Sequence, residues 1–352
     1  MGQRASKPEA QLLQPSMEGD LAKVKDIIGS KITPSNRAES IANASDSAGN
    51  SAIHGAVFSG HMHVVKFLVE SCSADTGLTN NLGCSPLWLA AGYGHEDIVQ
   101  YLIQSRTFTN FDDDVSINNQ KDFLNAQNST GDTPLIAAAS RGHATIIQML
   151  LDAAITCTCA GDDESSFAMC MLKHKNKGGD SALSVAVDGD KEAVLRVLMG
   201  WADDDDSKNK EEDRLINNKN EKGLTPLLIA CERGNANLAC ILIENGALPI
   251  CDANGSSPLS VAAFCGCEDV VTELLRLPFG QDLLNSSSDD TKGRGCTPLW
   301  LASRTGSHKI VKILLEAGAD PDTPNVDGIT PIEAAEKYKK QEVLDVLTAF
   351  KQ

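Results

Sequence analysis

The residues best equipped to bind a metal lie between positions 157 and 174 of the 352-residue chain. Cys157 and Cys159 form a C-x-C pair, and Cys170 and His174 follow it. Thiolate and imidazole are zinc ligands, but zinc sites favour C-x₂-C pairs, because C-x-C gives a poorer chelate geometry. We therefore predict no metal site here, and we interpret these thiols as cysteines without a ligand role.

Three histidines, His61, His95 and His143, occur in a recurring Gly-His step. Nucleophilic catalysis needs a base within hydrogen-bond reach of a nucleophile, and these histidines belong to separate repeats with no paired nucleophile. The chain also lacks phosphate-binding loops, dinucleotide fingerprints, H-E-x-x-H and G-x-S-x-G. The sequence therefore predicts structural histidines in a protein that is not an enzyme and needs no cofactor.

The first residues, MGQRASK, match the acylation pattern M-G-x-x-x-[ST], with Gly2 as the acceptor and Ser6 in place. One myristoyl chain gives only marginal membrane binding, and stable anchoring needs a second signal. Arg4 and Lys7 are the nearby cations, and the overall negative charge opposes anionic lipid. The pattern therefore predicts weak, reversible attachment to a membrane through Gly2.

The net charge of −17, without a basic stripe, argues against nucleic acid as a partner, because phosphates attract clustered Lys and Arg. Residues 1–25 do not read as a secretory signal, and no run of about 18 apolar residues could span a membrane. The eleven cysteines are scattered through helical patterns, which is typical of reduced thiols. We expect a cytoplasmic monomer, peripherally membrane-attached if Gly2 is acylated, and a nuclear location stays open.

A short motif recurs along the chain: GCSPLW at 83–88 returns as GCTPLW at 295–300. Eight lines of this type begin at glycines 49, 83, 131, 179, 223, 255, 295 and 328, with spacings of 34, 48, 48, 44, 32, 40 and 33. Each line is followed by an apolar cluster with helical spacing, such as HVVKFLV or KIVKILL. The pattern predicts a series of helix pairs with a basic period near 33.

Most lines carry the signals that begin and end a helix. A Ser or Thr N-cap precedes a Pro at the first helical position, where no backbone N–H is missed. A glycine such as Gly94 or Gly142 ends the first helix, and segments such as 128–131 have the chemistry of a tight turn. The predicted N-caps are residues 85, 133, 225, 257, 297 and 330.

With its turn, T-P-L and G-H elements, the chain resembles the ankyrin-repeat family, whose period is about 33 residues. The resemblance implies an all-α solenoid of about nine helix-turn-helix units with β-hairpin tips. We expect a flexible N-terminal tail over 1–10 and a single solenoid over 11–352. Its degenerate first unit spans 11–45, regular repeats begin at about 46, and a polar C-terminal capping unit spans 325–352.

The longer spacings predict acidic loop insertions near 106–122, 154–175 and 202–214, with runs such as FDDD and ADDDD. Insertions between repeats map to one face, which is often a binding face. Two interpretations stay open: solvated loops with no partner, or an acidic fringe that attracts a basic partner.

Trp88 and Trp300 occupy the slot where ankyrin repeats usually carry a histidine, which His54 retains. In the family that imidazole forms hydrogen bonds within and between neighbouring turns. Because an indole donates a hydrogen bond but accepts none, it cannot copy the full pattern. We therefore expect both tryptophans to pack against the next unit.

The resemblance implies that a protein partner binds a concave groove made of hairpin tips and the exposed ends of the first helices. The residue types that dominate interface energies fall at these positions, and we expect them to lie on one continuous face. The predicted partner-binding residues are Phe58, Tyr93, Arg141, Arg233, Phe264 and Arg304. The predicted function is a protein-protein interaction scaffold or adaptor. The alternative is a regulatory or assembly-chaperone subunit that controls an enzyme complex.

Overall fold

The computed structural model describes residues 11–31, 38–107, 114–157, 166–202, 214–288 and 295–351. The 1–10 tail, with Gly2, lies outside the described residues, as do 108–113, 158–165 and 203–213 within the three predicted insertions. The chain forms two compact units, Met1–Ala182 and Leu183–Gln352. The single solenoid over 11–352 stays a prediction.

The first unit is built from short helices in pairs. They are α1 (Leu13–Glu18), α2 (Leu21–Lys31), α3 (Ala38–Ala42), α4 (Ala52–Phe58), α5 (Met62–Cys72), α6 (Pro86–Tyr93), α7 (Glu96–Thr107), α8 (Asp114–Leu124), α9 (Pro134–Arg141), α10 (Ala144–Ile155) and α11 (Ser166–Lys173). Helices α4, α6 and α9 pack side by side as the first helices of successive repeats.

The second unit repeats this arrangement and begins within α12 (Ala182–Asp188). It continues with α13 (Glu192–Ala202), the 3₁₀ turn Leu215–Asn217, α14 (Pro226–Arg233), α15 (Ala236–Glu244), α16 (Pro258–Cys265), α17 (Glu268–Arg276), α18 (Gly280–Leu284), α19 (Pro298–Thr305), α20 (His308–Glu316), α21 (Pro331–Lys337) and α22 (Gln341–Phe350). Over the described ranges the regular structure is helical, with one isolated bridge between Ser45 and Ser51. The all-α prediction is confirmed.

The predicted caps begin six of the first helices. Each Ser or Thr side chain accepts a hydrogen bond from the backbone N–H three residues later, and a Pro follows at the first helical position. The distance from Trp88 N to Ser85 Oγ, for example, is 3.1 Å. Gly94 ends α6 in the left-handed conformation at φ 82°, as the sequence predicts.

The core of each unit lies between the two rows of helices. Small residues such as Ala90 and Ala138 are fully buried in the first helices, which lets the second helices approach closely. The second helices contribute apolar pairs such as Val64-Val65 and Ile310-Val311, also fully buried. This burial supplies most of the hydrophobic driving force for stacking, because one repeat alone leaves its apolar face in water.

The predicted tight turns close the hairpin tips. Asn128 Oδ1 accepts from the backbone N–H groups of Thr130 at 2.9 Å and Asp132 at 2.8 Å. Neighbouring tips in the first unit are also joined, because the Ser129 N–H donates to the Leu82 carbonyl at 2.7 Å. The hairpin tips therefore form a continuous edge in that unit.

The predicted insertions are not loops throughout. Helix α8 occupies part of the first insertion and buries Phe123 and Leu124, while α11 occupies part of the second and buries Met171 and Leu172. These apolar residues have a neighbouring helix to pack against, since α10 contacts both α8 and α11. The high acidic content of the insertions hid these short apolar clusters in the sequence.

The Gly-His histidines connect neighbouring repeats, as the sequence predicts for structural residues. The Nε2 atoms of His61, His95 and His143 lie 2.9 to 3.3 Å from main-chain carbonyl oxygens of the preceding repeat. A carbonyl oxygen only accepts, so Nε2–H must be the donor in each case.

None of the helices within the described ranges has the length and the apolar composition that a membrane span requires.

Candidate functional site

The first unit carries three of the predicted partner-binding residues in one cluster. The rings of Phe58 and Tyr93 meet edge to face, with centroids 4.6 Å apart, and the Arg141 Cζ lies 5.3 Å from the centroid of the Tyr93 ring. Such aromatic and cation–π contacts hold the side chains in defined positions while leaving their outer surfaces in water. We call Phe58, Tyr93 and Arg141 the first-unit cluster.

The backbone explains why these side chains meet. Phe58, Tyr93 and Arg141 are the last residues of α4, α6 and α9, and these first helices pack as neighbours. The chain then turns away from each helix, at a left-handed glycine in the case of α6 and α9. Phe58 is 42% exposed and Tyr93 is 38% exposed, so the cluster presents aromatic surface to solvent.

A cavity of about 530 Å³ opens beside the first-unit cluster. Phe58 and Tyr93 form part of its lining, together with Trp88, and α1 contributes Leu13 and Met17. No Asp, Glu, Lys or Arg side chain is among the described residues that line it. Cavities of this size with a mainly apolar lining are typical of ligand-binding sites.

The second unit holds a different arrangement around Arg304. The Arg304 Cζ lies 5.5 Å from the ring centroid of Phe264, 5.9 Å from that of Trp300 and 5.8 Å from that of Tyr338. We call these four residues the second-unit cluster. Phe264 is 45% exposed, whereas Trp300 is only 5% exposed.

Arg233 makes a contact of another kind within the second unit. Its Nε donates to Asp188 Oδ1 at 2.8 Å, and this carboxylate raises the pKa of Arg233. Both side chains are more than half exposed, so the pair contributes little stability. The structure thus brings Phe264 and Arg304 together, while Arg233 is already paired with an acid of its own unit.

A second cavity, of about 430 Å³, is lined in part by Phe264 and Arg304. Its lining also includes Lys222, Glu232 and Asp252, so charges of both signs border it. The two units therefore differ in the chemistry that they offer a ligand: the first-unit cavity is uncharged and the second-unit cavity is not.

Three residues of these surfaces are not among the six predicted partner-binding residues. Tyr338 completes the ring contacts of Arg304, and Leu82 and Met17 line the first-unit cavity. Tyr338 stands at the repeat position that Thr305 and Tyr93 share, and this register assigns it to the predicted groove. Leu82, 64% exposed on a hairpin tip, could have been found as an apolar residue in a turn.

The histidine slot has one intact example, His54. Its Nδ1 accepts from the Ser51 N–H at 3.2 Å, and its Nε2–H donates to the Cys84 carbonyl at 3.2 Å. Burial lowers the pKa of His54, which favours the neutral ring that this pattern requires. His54 therefore bonds both within its own repeat and to the next, as the family resemblance implies.

Two of the residues considered as metal ligands, Cys157 and His174, already have hydrogen-bond partners, and Cys170 is exposed. Cys157 Sγ donates to the Ala153 carbonyl at 3.2 Å, and His174 Nε2 contacts the Gly131 carbonyl at 3.0 Å. Burial raises the pKa of Cys157, which favours the neutral thiol over the metal-binding thiolate. Cys159 lies outside the described residues, and no group of three metal-ligating side chains occurs within them.

Several proteins are similar to parts of this chain. A 131-residue segment is 31% identical to the Hydra vulgaris "Tyrosine-protein kinase HTK16", covering 37% of this chain and 17% of that protein. A 142-residue segment is 31% identical to the human "Transient receptor potential cation channel subfamily A member 1", covering 39% of this chain and 12% of that protein. A 55-residue segment is 49% identical to the Danio rerio "Notch-regulated ankyrin repeat-containing protein B", covering 16% of this chain and 49% of that protein. The chain thus spans less than two thirds of each of these relatives.

Models of a repeat family match most of the chain. The model described as "Ankyrin repeats (3 copies)" matches residues 12–113, 53–160 and 210–287, and the model "Ankyrin repeat" matches residues 294–326. The matched regions contain five of the six capped first helices described above, namely α6, α9, α14, α16 and α19. The chain therefore belongs to the ankyrin-repeat family.

Proposed function

We propose that this protein is a non-enzymatic scaffold or adaptor that binds a protein partner through the exposed ends of its first helices. The observation that carries the proposal is that each unit presents a cluster of aromatic residues and arginine at the C-terminal ends of its first helices. Aromatic residues and arginine dominate the binding energy of protein interfaces. The proposed contact residues are Phe58, Tyr93, Arg141, Arg233, Phe264 and Arg304.

Protein is the partner class that fits these surfaces best. Ankyrin repeats are interaction modules, and both clusters combine exposed ring surface with a positive charge in a chain of net charge −17. The overall charge disfavours a nucleic acid partner. Membrane attachment through Gly2 stays a separate prediction, because this residue lies outside the described residues.

The test compares partner binding by two cluster variants. Proximity labelling with the full chain in its native cell identifies candidate partners, and purified candidates are then titrated against Phe58→Ala/Tyr93→Ala and Phe264→Ala/Arg304→Ala. We expect at least one double variant to weaken binding by about tenfold or more, because each removes two hot-spot residue types. Phe350→Ala is the matched control, since Phe350 is 51% exposed but lies at the end of the last helix.

Equal affinity of a verified partner for the wild type and for both double variants would overturn the proposed surfaces. Turnover of a substrate by the purified chain would overturn the non-enzymatic assignment. Circular dichroism of each variant checks that it is folded, because a destabilised variant would lose binding for another reason.

A further inference from the structure

The geometry points to the first-unit cavity as a pocket for one large, uncharged apolar side chain of a partner protein, with an acidic side chain beside that anchor contacting Arg141. This inference rests on the proposed function and names the chemistry of the partner segment. Three features of the cavity support it: the uncharged lining, the exposed apolar rim and the position of Arg141.

The lining favours an apolar anchor. The cavity of about 530 Å³ is bordered by Trp88, Leu89 and Met17 and by uncharged polar groups such as Asn80. A charged side chain buried there would lose its hydration without meeting an opposite charge, which is strongly unfavourable. A large aliphatic or aromatic side chain has no charge whose hydration would be lost, and the burial of its apolar surface is favourable.

The rim favours a polypeptide over a small ligand. Leu82 on a hairpin tip is 64% exposed, and the helix-end rings of Phe58 and Tyr93 are 42% and 38% exposed. All three residues line the cavity and also extend apolar surface beyond it. A chain segment that places one side chain inside the cavity can cover these outer surfaces with its neighbouring residues, as a small molecule cannot.

Arg141 determines the charge expected next to the anchor. Its guanidinium stacks on the Tyr93 ring, which forms part of the cavity wall, and it has no carboxylate partner among the described residues. Asp132, in the turn that precedes α9, already has partners, because its two carboxylate oxygens accept from Asn176 Nδ2 at 2.8 Å and from Thr130 Oγ1 at 2.6 Å. A partner carboxylate would therefore meet a guanidinium that is held at the edge of the pocket and has no carboxylate among the described residues.

The second-unit cavity provides an internal contrast. Lys222, Glu232, Asp252 and Arg304 border it, so charge there does not favour an uncharged anchor. Arg233, at the position that corresponds to Arg141 in its repeat, is neutralised by Asp188. Within the part of the chain that the structure describes, the first unit thus combines an uncharged cavity with an arginine that has no carboxylate partner.

The experiment selects ligands without assuming a natural partner. A library of random linear peptides is selected on the full chain, and the enriched peptides are synthesised with a fluorophore for anisotropy titrations. We expect them to share a large apolar residue with Asp or Glu close to it in sequence. Ser129→Trp places a bulky group at the mouth of the cavity and should weaken binding by about tenfold or more. Ser129 is exposed, lines the cavity and lacks a positive φ, so the fold should tolerate the change.

Ala253→Trp is the matched control. Ala253 occupies the equivalent position of another hairpin turn, is exposed, and lies in the second unit. This variant should bind the peptides as the wild type does. Arg141→Glu should weaken binding of the acidic peptides, and replacing their acid with Lys should restore binding to Arg141→Glu.

The inference is wrong if the selection yields no peptide whose affinity depends on Ser129. It is also wrong if the enriched peptides anchor through a charged residue, or if the charge exchange at Arg141 does not restore binding. A third result separates the two proposals. If a natural partner no longer binds the cluster variants but binds Ser129→Trp as tightly as the wild type, the pocket inference is wrong and the proposed function stands. Circular dichroism and thermal unfolding of each variant exclude misfolding as the cause.

Discussion

The hexapeptides GCSPLW at 83–88 and GCTPLW at 295–300 build the same capped helix start in two different units, yet their tryptophans have different surroundings. Trp300 is 5% exposed, and its Nε1–H donates to the Ile329 carbonyl at 3.0 Å. Trp88 is half-buried, and its Nε1–H has no hydrogen-bond partner among the described residues. One tryptophan completes a core, and the other becomes a wall of a cavity.

The residue four positions later accounts for part of this difference. Residues four apart lie on the same face of a helix, so position 304 covers Trp300 and position 92 faces Trp88. Arg304 places its Cζ 5.9 Å from the Trp300 ring centroid, whereas Gly92 has no side chain to cover Trp88. The shared hexapeptide therefore determines where the helix starts, while the residue four positions after the tryptophan, outside the hexapeptide, determines whether the indole is covered.

Trp300 also corrects part of the expectation for the histidine slot. Its indole N–H reaches the carbonyl that follows the next hairpin glycine, and His54 Nε2 makes the same bond to Cys84. The indole reproduces this inter-repeat bond but not the acceptor role of Nδ1, because it has no free lone pair. Trp300 is therefore a packing residue and a partial replacement for the histidine, which the sequence reasoning did not anticipate.

The largest expected effect is on stability when each tryptophan is truncated. Trp300→Ala should lower the free energy of unfolding by about 3–5 kcal/mol, as is usual for a buried Trp-to-Ala change. Trp88→Ala should cost about 2 kcal/mol, because part of its ring already faces solvent. Urea denaturation followed by circular dichroism measures both. A larger loss for Trp88→Ala than for Trp300→Ala would contradict the assigned environments.

A smaller effect isolates the hydrogen bond. Trp300→Phe should lower the free energy of unfolding by about 1 kcal/mol more than Trp88→Phe does. The reason is that the Trp300 indole donates to a carbonyl, whereas the Trp88 indole has no hydrogen-bond partner among the described residues. The Ile329 carbonyl keeps its bond from the Asn325 N–H at 2.9 Å, so the change leaves no orphaned acceptor. The same denaturation experiment gives the difference. Equal losses in the two variants would show that the indole bond contributes nothing.

The smallest expected effect is on the pH dependence of stability. It concerns His54, whose imidazole can take up a proton, whereas the indole of Trp300 cannot. Burial lowers the pKa of His54 in the folded state, so the unfolded chain binds the proton more readily. The contribution of this residue is therefore constant above its ordinary pKa of about 6.5 and falls as the pH drops toward the lowered value. We expect His54→Gln to reduce the loss of stability between pH 7 and pH 5.5, measured by urea denaturation at both values. An identical pH dependence in the variant and the wild type would refute this assignment.

Much of the fold could be predicted because its signals are local. The Ser85 and Thr297 caps, the prolines after them and the glycines that end the helices act through backbone groups within a few residues. The helices in the insertions were missed because α8 and α11 depend on packing against α10, which lies outside their own sequence windows. Local backbone interactions therefore specify the regular repeat, whereas the helices within the insertions depend on long-range packing.

The location of the candidate site could be predicted from the sequence, but the contacts between its side chains and the cavity beside them could not. The register of the repeats placed Phe58, Tyr93 and Arg141 on the ends of first helices, where the structure brings them together. The pairing of Arg233 with Asp188 has no local sequence signal, because the two residues are 45 positions apart and meet only when their repeats stack. The uncharged cavity was also hidden, since residues from α1 and from three hairpin turns form its lining.

The repeat family, the helix pairs and the residues at the ends of the first helices can be predicted from the sequence alone, because caps, turns and apolar spacing are local to one repeat. Packing between repeats determines which of those side chains contact one another, whether an arginine lies against a carboxylate or an aromatic ring, and whether a tryptophan lies in a core or beside a cavity. These outcomes depend on distances between atoms of different repeats, which vary with each neighbouring side chain and which no single repeat encodes.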